Sequence, residues 1–110
     1  SLNAKCIIAP SMSGATARVV SKFKPKTEII GVSPNGASLR RMQIYWGVRP
    51  MKSIEVHTTE DICSSAIDLV TAKQIVETGD VVILTAGIPS PTTVGMSKGV
   101  SNMMRIAVVD

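Results

Sequence analysis

The sequence predicts an α/β fold, a three-layer domain on a five-stranded, mostly parallel sheet, and three observations carry that prediction. Short continuous apolar runs, AKCIIAP (4–10) and DVVILTA (80–86), read as strands covered on both faces. Segments of helical periodicity with their own start and stop signals lie between such runs. Runs and helices alternate along the chain, the pattern of right-handed crossovers between parallel strands. The last two strands have no helix between them, so the fifth is expected antiparallel to the fourth.

Each element follows in order. After the strand at 4–10, SGATARVVSKFK (13–24) places Ala17, Val20 and Phe23 at helical spacing and ends in lysines before Pro25, a helix stop. EIIGVS (28–33) is the second strand. PNGASLRRMQIYW (34–46) reads as a helix capped by Ser33, with Pro34 in its first position, closed by Gly47. VRPM (48–51) is a short third strand and residues 54–58 a linker. Thr58 or Thr59 caps a long helix over 60–77, with Glu60 and Asp61 in its positive first turn and Gly79 at its end. After the strand at 80–86 comes a Gly/Pro/Ser/Thr-rich loop, GIPSPTTVGMSKGVS (87–101), and NMMRIAVVD (102–110) returns as the final strand. There is no internal repeat and no second domain.

Composition narrows the function classes. At 110 residues the chain holds one core, and a hydrophobic content of 45% excludes a disordered tail. A mean hydropathy of +0.27 is apolar for so small a unit, which points to a doubly covered sheet, to surface that docks on a partner, or to both. No stretch reaches the length of a membrane span, and SLNAKCIIAP lacks the features of a secretory signal, so a cytoplasmic location and no membrane partner are expected. The net charge of +4 favours anionic partners. With only Phe23, Tyr45 and Trp46 as aromatics, a stacking platform for nucleic acid is disfavoured. Cys6 and Cys63 belong to no CxxC or Cys/His cluster, so both are expected reduced and structural, with no metal.

In sheets of this kind ligands collect beyond the carboxyl ends of strands whose crossovers diverge. Two loops have that address, the one after the first strand and the one after the fourth. In SMSGAT (11–16), Ser11, Ser13 and Thr16 offer hydroxyls, Gly14 permits close backbone approach, and the N–H groups of a helix beginning near Ser13 face the same place. Together these suit a phosphate or carboxylate. An ordinary N-cap at Ser13 with Gly14 chosen for packing satisfies the same pattern. The second loop contributes hydroxyls, glycines and one charge, Lys98, and on composition alone reads as a solvated surface loop.

No GxxxxGK[ST] or GxGxxG occurs, so nucleotide binding in those manners has no support. His57, the only histidine, stands in the linker beside capping threonines and reads as exposed rather than catalytic. No nucleophile, base and orienting group assemble by spacing, and the chain reads as a binder. Lys22 and Lys24 suit a helix C-terminus, whereas Arg40 and Arg41, in the middle of the second expected helix, read as a solvated face or a docking surface.

Four stretches in this order and spacing, SMSGATARVVSKFKPKTEIIGVSPN, RRMQIYWGVRP, GDVVILTAGIP and GVSNMMRIAVV, resemble the C-terminal domain of pyruvate kinases, bacterial forms in particular, over residues 4 to 109. The resemblance implies strand order 3-2-1-4-5 with the fifth strand antiparallel and the switch point between the first and fourth. It further implies a regulatory domain without catalytic residues. Such a domain binds a phosphorylated effector, either fructose 1,6-bisphosphate or a sugar monophosphate or AMP, and takes part in a homotetramer. The catalytic barrel, with its Mg2+ and K+, would be its neighbour in the parent enzyme, and no cofactor is implied for these residues.

Carried over by position, Ser11, Ser13 and Thr16 match the hydroxyls that hold an effector phosphate and Gly14 the glycine between them. Gly87 to Pro89 and Gly99 to Asn102, including Ser101, match the ends of the effector loop. The chain departs from the family pattern at Met12 and Ala15, where many relatives place a basic residue, and at GVSN, where GTTN is common. Lys98 is the remaining candidate charge, and a monophosphate is at least as well suited as a bisphosphate.

Overall fold

A computed structural model describes residues 3–11, 13–54, 58–89 and 100–110. Its elements run β1 (Cys6–Pro10), α1 (Ala15–Lys22), β2 (Glu28–Ser33), α2 (Gly36–Met42), β3 (Val48–Lys52), α3 (Thr59–Ala72), β4 (Val81–Pro89) and β5 (Val100–Val108). The strands form one sheet in the order β3-β2-β1-β4-β5. β1 pairs in parallel with β2 and β4, β2 in parallel with β3, and β4 antiparallel with β5. The expected topology is the observed one.

Strand periodicity sorts the side chains into two cores. Cys6 and Ile8 of β1, Ile30 and Val32 of β2, and Val82 and Leu84 of β4 project to one face, where Cys63, Ala66 and Val70 of α3 meet them. Ala9 and Ile29 project to the other face against Ala17 of α1 and Met42 of α2. The continuous apolar runs are thus explained, since β1 and β2 are covered on both sides. β5 is not. Its Met104, Ile106 and Val108 are 75%, 55% and 60% exposed, on the face opposite α3.

Several boundaries differ from those expected, each for a local reason. α1 stops at Lys22 and not Lys24; Lys24 adopts a left-handed φ of 46°, and Phe23, expected on the buried stripe, is 81% exposed. Ser33 does not cap α2 but ends β2, and Pro34 precedes the cap rather than following it. The cap is Asn35, whose Oδ1 accepts from Ala37 N (2.9 Å) and Ser38 N (3.1 Å). α2 ends at Met42 rather than Trp46, so Arg40 and Arg41 lie in its last turn, where cations are favoured.

Thr58 caps α3 by accepting from Asp61 N, as expected. That helix ends at Ala72, five residues before the expected end. Gln74 takes the left-handed conformation (φ 62°) and Ile75 N donates to Val70 O, a Schellman-type ending with glutamine where glycine is usual. Gly79 therefore turns the chain into β4 instead of ending a helix.

The largest correction concerns the second loop. The β4–β5 ladder does not stop at Ala86 and Asn102; it continues through Gly87↔Asn102, Ile88↔Ser101 and Pro89↔Val100. β1 pairs with β4 only as far as Ile8↔Leu84. The last residues of β4 and the first of β5 therefore form a two-stranded ribbon that runs past the ladder with β1.

Candidate functional site

The site expected at the end of β1 takes its shape from three hydrogen bonds. Ser11 N donates to Val32 O (2.8 Å), which carries the β1–β2 pairing one residue beyond the strand. Ser11 Oγ then accepts from Gly14 N (3.0 Å), and Ser13 Oγ accepts from Ala15 N (3.2 Å). Two N–H groups expected to face outward are thus bound by the loop's own hydroxyls. A hydroxyl that accepts from an N–H keeps its own O–H as a donor. The loop therefore carries hydroxyls with a donor proton to spare where bare backbone amides were expected.

Gly14 occupies the N-cap position of α1 at φ 83° and is buried, with no side-chain cap bond at that position. A Cβ there would stand 3.0 Å from Met42 Cγ and 3.6 Å from Ser38 O, so α2 presses directly on the loop. Only glycine meets both the conformation and the space. Gly31 in β2 is crowded by the same side chain, since its Cβ would stand 2.5 Å from Met42 Sδ and 3.0 Å from Val48 Cγ1. Thr16 lies half-buried in the first turn of α1.

The loop brings Ser11, Ser13 and Gly14 together, with Thr16 one turn along. Gly87, Pro89 and Ser101 belong to the ribbon and not to an open loop. Lys98 and Gly99, like His57 and Met12, lie outside the described residues.

Sequence reasoning missed one contributor. The Arg41 guanidinium reaches back along α2, and its Nη2 donates to Ser38 Oγ (3.0 Å) and to the Ser13 carbonyl (3.3 Å). Helical side chains lean toward the helix N-terminus, which carries this charge toward the loop end of the sheet. The signal available in the sequence was that the helix-dipole argument left Arg41 unexplained.

Among the described residues no buried side-chain nitrogen or oxygen lacks a hydrogen-bond partner. A cavity of about 330 Å3 between α3 and β5 includes Glu60, Cys63, Asp68 and Arg105 in its lining, but Arg105 and Glu60 pair with each other at 3.1 Å. The hydrogen bonds that Arg105 donates to the Glu60 carboxylate hold its guanidinium above its ordinary pKa. Burial pushes the Cys6 thiol up to about 11, with Glu28 and Asp80 adding to the effect against Lys5. Burial also raises Cys63, with Arg105 opposing and Glu60 reinforcing. Both cysteines are free, buried and held as neutral thiols. Among the described residues no cluster of His, Cys, Asp or Glu suits a metal ion, and no helix is long and apolar enough to cross a membrane.

Comparison with known proteins agrees with this architecture. The family model for the pyruvate kinase alpha/beta domain matches residues 1–107. A pyruvate kinase of Staphylococcus saprophyticus is 36% identical over 108 residues, and one of Staphylococcus epidermidis 38% identical, each match covering 98% of this chain and 18% of the relative. Among solved structures, Cryptosporidium parvum pyruvate kinase in complex with ADP superposes with a TM-score of 0.78 at 30% identity, over 98% of this chain and 21% of that one. The chain thus spans about a fifth of the length of the relatives it matches. With the fold, the strand order and nearly every residue of the chain aligned to that family, this chain belongs to the pyruvate kinase alpha/beta domain family.

Proposed function

We propose that this chain is the regulatory and oligomerisation portion of a pyruvate kinase and that it binds a phosphorylated sugar or nucleotide at the loop after β1, beside the β4–β5 ribbon. The observation that carries this reading is the arrangement of Ser11 and Ser13. Both hydroxyls accept from backbone N–H groups and so offer their own protons beside the start of α1. The parent enzyme, a cytoplasmic enzyme of glycolysis, would move phosphate from phosphoenolpyruvate to ADP in a catalytic barrel outside these residues. This chain would contribute no catalytic group, metal or cofactor. Effector binding would act by favouring one arrangement of barrel and neighbouring subunits, an allosteric coupling. Ser11, Ser13, Gly14 and Thr16 are assigned to the phosphate. Gly87, Pro89, Lys98, Gly99 and Ser101 are assigned to the flanking ribbon and the segment it carries.

Thermal unfolding with fructose 1,6-bisphosphate, ribose 5-phosphate, glucose 6-phosphate, AMP or inorganic phosphate tests this reading. A ligand at ~100 times its dissociation constant adds about 2.7 kcal/mol, which raises the midpoint of a chain this size by roughly 10 °C. A shift for a phosphate ester that disappears in Ser13→Ala supports the assignment. No shift for any of them removes it.

A second reading, an interaction domain whose phosphate site is vestigial, draws on the uncovered face of β5. Met104, Ile106 and Val108 stand in a row on an edge strand, where a second copy or the catalytic barrel would bury them. Mass measured by sedimentation equilibrium, rising with concentration and unchanged by the same ligands, is the result that favours it.

A further inference from the structure

The six residues SMSGAT carry no charge, yet their surroundings are not neutral. Arg41 Nη2 bonds the Ser13 carbonyl and Ser38 Oγ, which fixes the guanidinium against the loop. Among the described residues the ion pairs are Arg49–Glu28 and Arg105–Glu60, and neither involves Arg41. Its two recorded partners are neutral oxygens, and the residue is exposed. A guanidinium has five N–H donors in a planar fork, and these contacts engage only one of its three nitrogens. A positive charge is thus anchored to the backbone of the loop at Ser13, the residue whose hydroxyl accepts from Ala15 N, with donors left over.

Arg18 lies one turn into α1, and two other cations, Lys22 and Arg40, are differently placed. Lys22 stands in the last turn of α1, seven residues on from its first, a rise of about 10 Å. Arg40 folds along its own helix, with Nη1 3.7 Å from the Cβ position of Gly36, and among the described residues it makes no hydrogen bond to the loop.

We infer that Arg41 is a specificity-determining residue of this site. It supplies the full positive charge that the loop lacks and selects a ligand bearing a phosphoryl group over its unphosphorylated counterpart. This rests on the phosphate site proposed above and adds to it the residue that reads the charge. The match between a planar fork and phosphate oxygens makes arginine, more than lysine, suited to the task. One anchored guanidinium also suits one phosphoryl group, which places phosphate monoesters ahead of bisphosphates.

The test is titration calorimetry of the full chain with ribose 5-phosphate, ribose and inorganic phosphate, in the wild type, Arg41→Gln, Arg41→Lys, Arg40→Gln and Ser13→Ala. Urea unfolding of each variant without ligand accompanies it. Loss of a charge-assisted bond predicts that Arg41→Gln weakens ribose 5-phosphate binding by about tenfold or more. Arg41→Lys recovers part of that loss, and the dependence of affinity on salt is shallower in Arg41→Gln. Arg40→Gln, which makes the same change in net charge, stays within about twofold, since its charge is away from the loop.

Wild-type affinity in Arg41→Gln, with binding lost in Ser13→Ala, overturns the role of Arg41 and leaves the site standing. Equal weakening in Arg41→Gln and Arg41→Lys, with equal loss of stability, overturns it too and makes Arg41 a structural tie to the Ser13 carbonyl. A wild type that binds neither ribose 5-phosphate nor phosphate overturns both this inference and the site.

Discussion

Replacing Gly14 with alanine separates the two constraints that α2 and the backbone place on the loop. At φ 83° an L-residue pays the left-handed penalty, about 1.5 kcal/mol, of which ~0.7 kcal/mol is returned because alanine restricts the unfolded chain. Gly47 supplies the control. It has φ 69°, but nothing lies within 4 Å of its Cβ position, so Gly47→Ala carries the conformational cost alone, about 1 kcal/mol. At Gly14 the new methyl also meets Met42 Cγ at 3.0 Å, and crowding in a filled site adds about 1 kcal/mol or more. The totals are about 2 kcal/mol for Gly14→Ala and about 1 kcal/mol for Gly47→Ala. With an unfolding entropy of ~2.1 cal/mol/K per residue, these lower the midpoint by roughly 9 °C and 4 °C. Scanning calorimetry reads both, and urea unfolding with an unchanged m-value shows that stability, and not the surface exposed on unfolding, has changed. Equal losses at the two positions would refute the argument that α2 fixes the loop by contact.

Two further outcomes follow from the same structure. Asn35→Ala removes the acceptor for two N–H groups at the start of α2 and costs about 1 kcal/mol in urea unfolding, whereas Asn35→Asp keeps the acceptor and most of the stability; equal loss in both would remove Asn35 as the cap. Cys6 binds its proton more tightly folded, at about 11, than at the ordinary 9.0, so its contribution is complete below pH 9 and is lost as pH rises through 11. Two units correspond to roughly 3 kcal/mol, and the difference in unfolding free energy between wild type and Cys6→Val, followed from pH 8 to 11 under reductant, should shift by an amount of that order. A flat difference would show that the thiol is not desolvated.

Much of the fold was legible because it rests on patterns with a long physical reach. Double coverage of β1 and β2 requires continuous apolar runs, and AKCIIAP and EIIGVS supply them. The element ends were less legible where one residue type stood in for another. Gln74 ends α3 in a conformation that glycine normally signals, and Asn35 takes the capping role from Ser33 two residues earlier. The ribbon of β4 and β5 was hidden because GIP and GVSN carry turn-forming residues, yet the antiparallel register continues through both. At the site, Ser11, Ser13 and Gly14 were legible from their position between strand and helix. Arg41 was not, since its approach to Ser13 depends on how α2 lies against the loop before α1, and 28 residues separate the two in sequence.

Met42 is wholly buried between Gly14 and Gly31, so a single thioether chain serves as the spacer between the sheet and the loop above it. The two glycines let the backbone close on that chain from both sides, with Val48 and Ala17 beside it at Gly31. How high the loop stands over β2 therefore depends on the thickness of this unbranched, adaptable side chain. A branched residue at position 42 would lift the loop or tilt α2, and a smaller one would let it sink, without altering a single polar group. Drift at this apolar position tunes the shape of the site, while its hydroxyls and its charge stay the same.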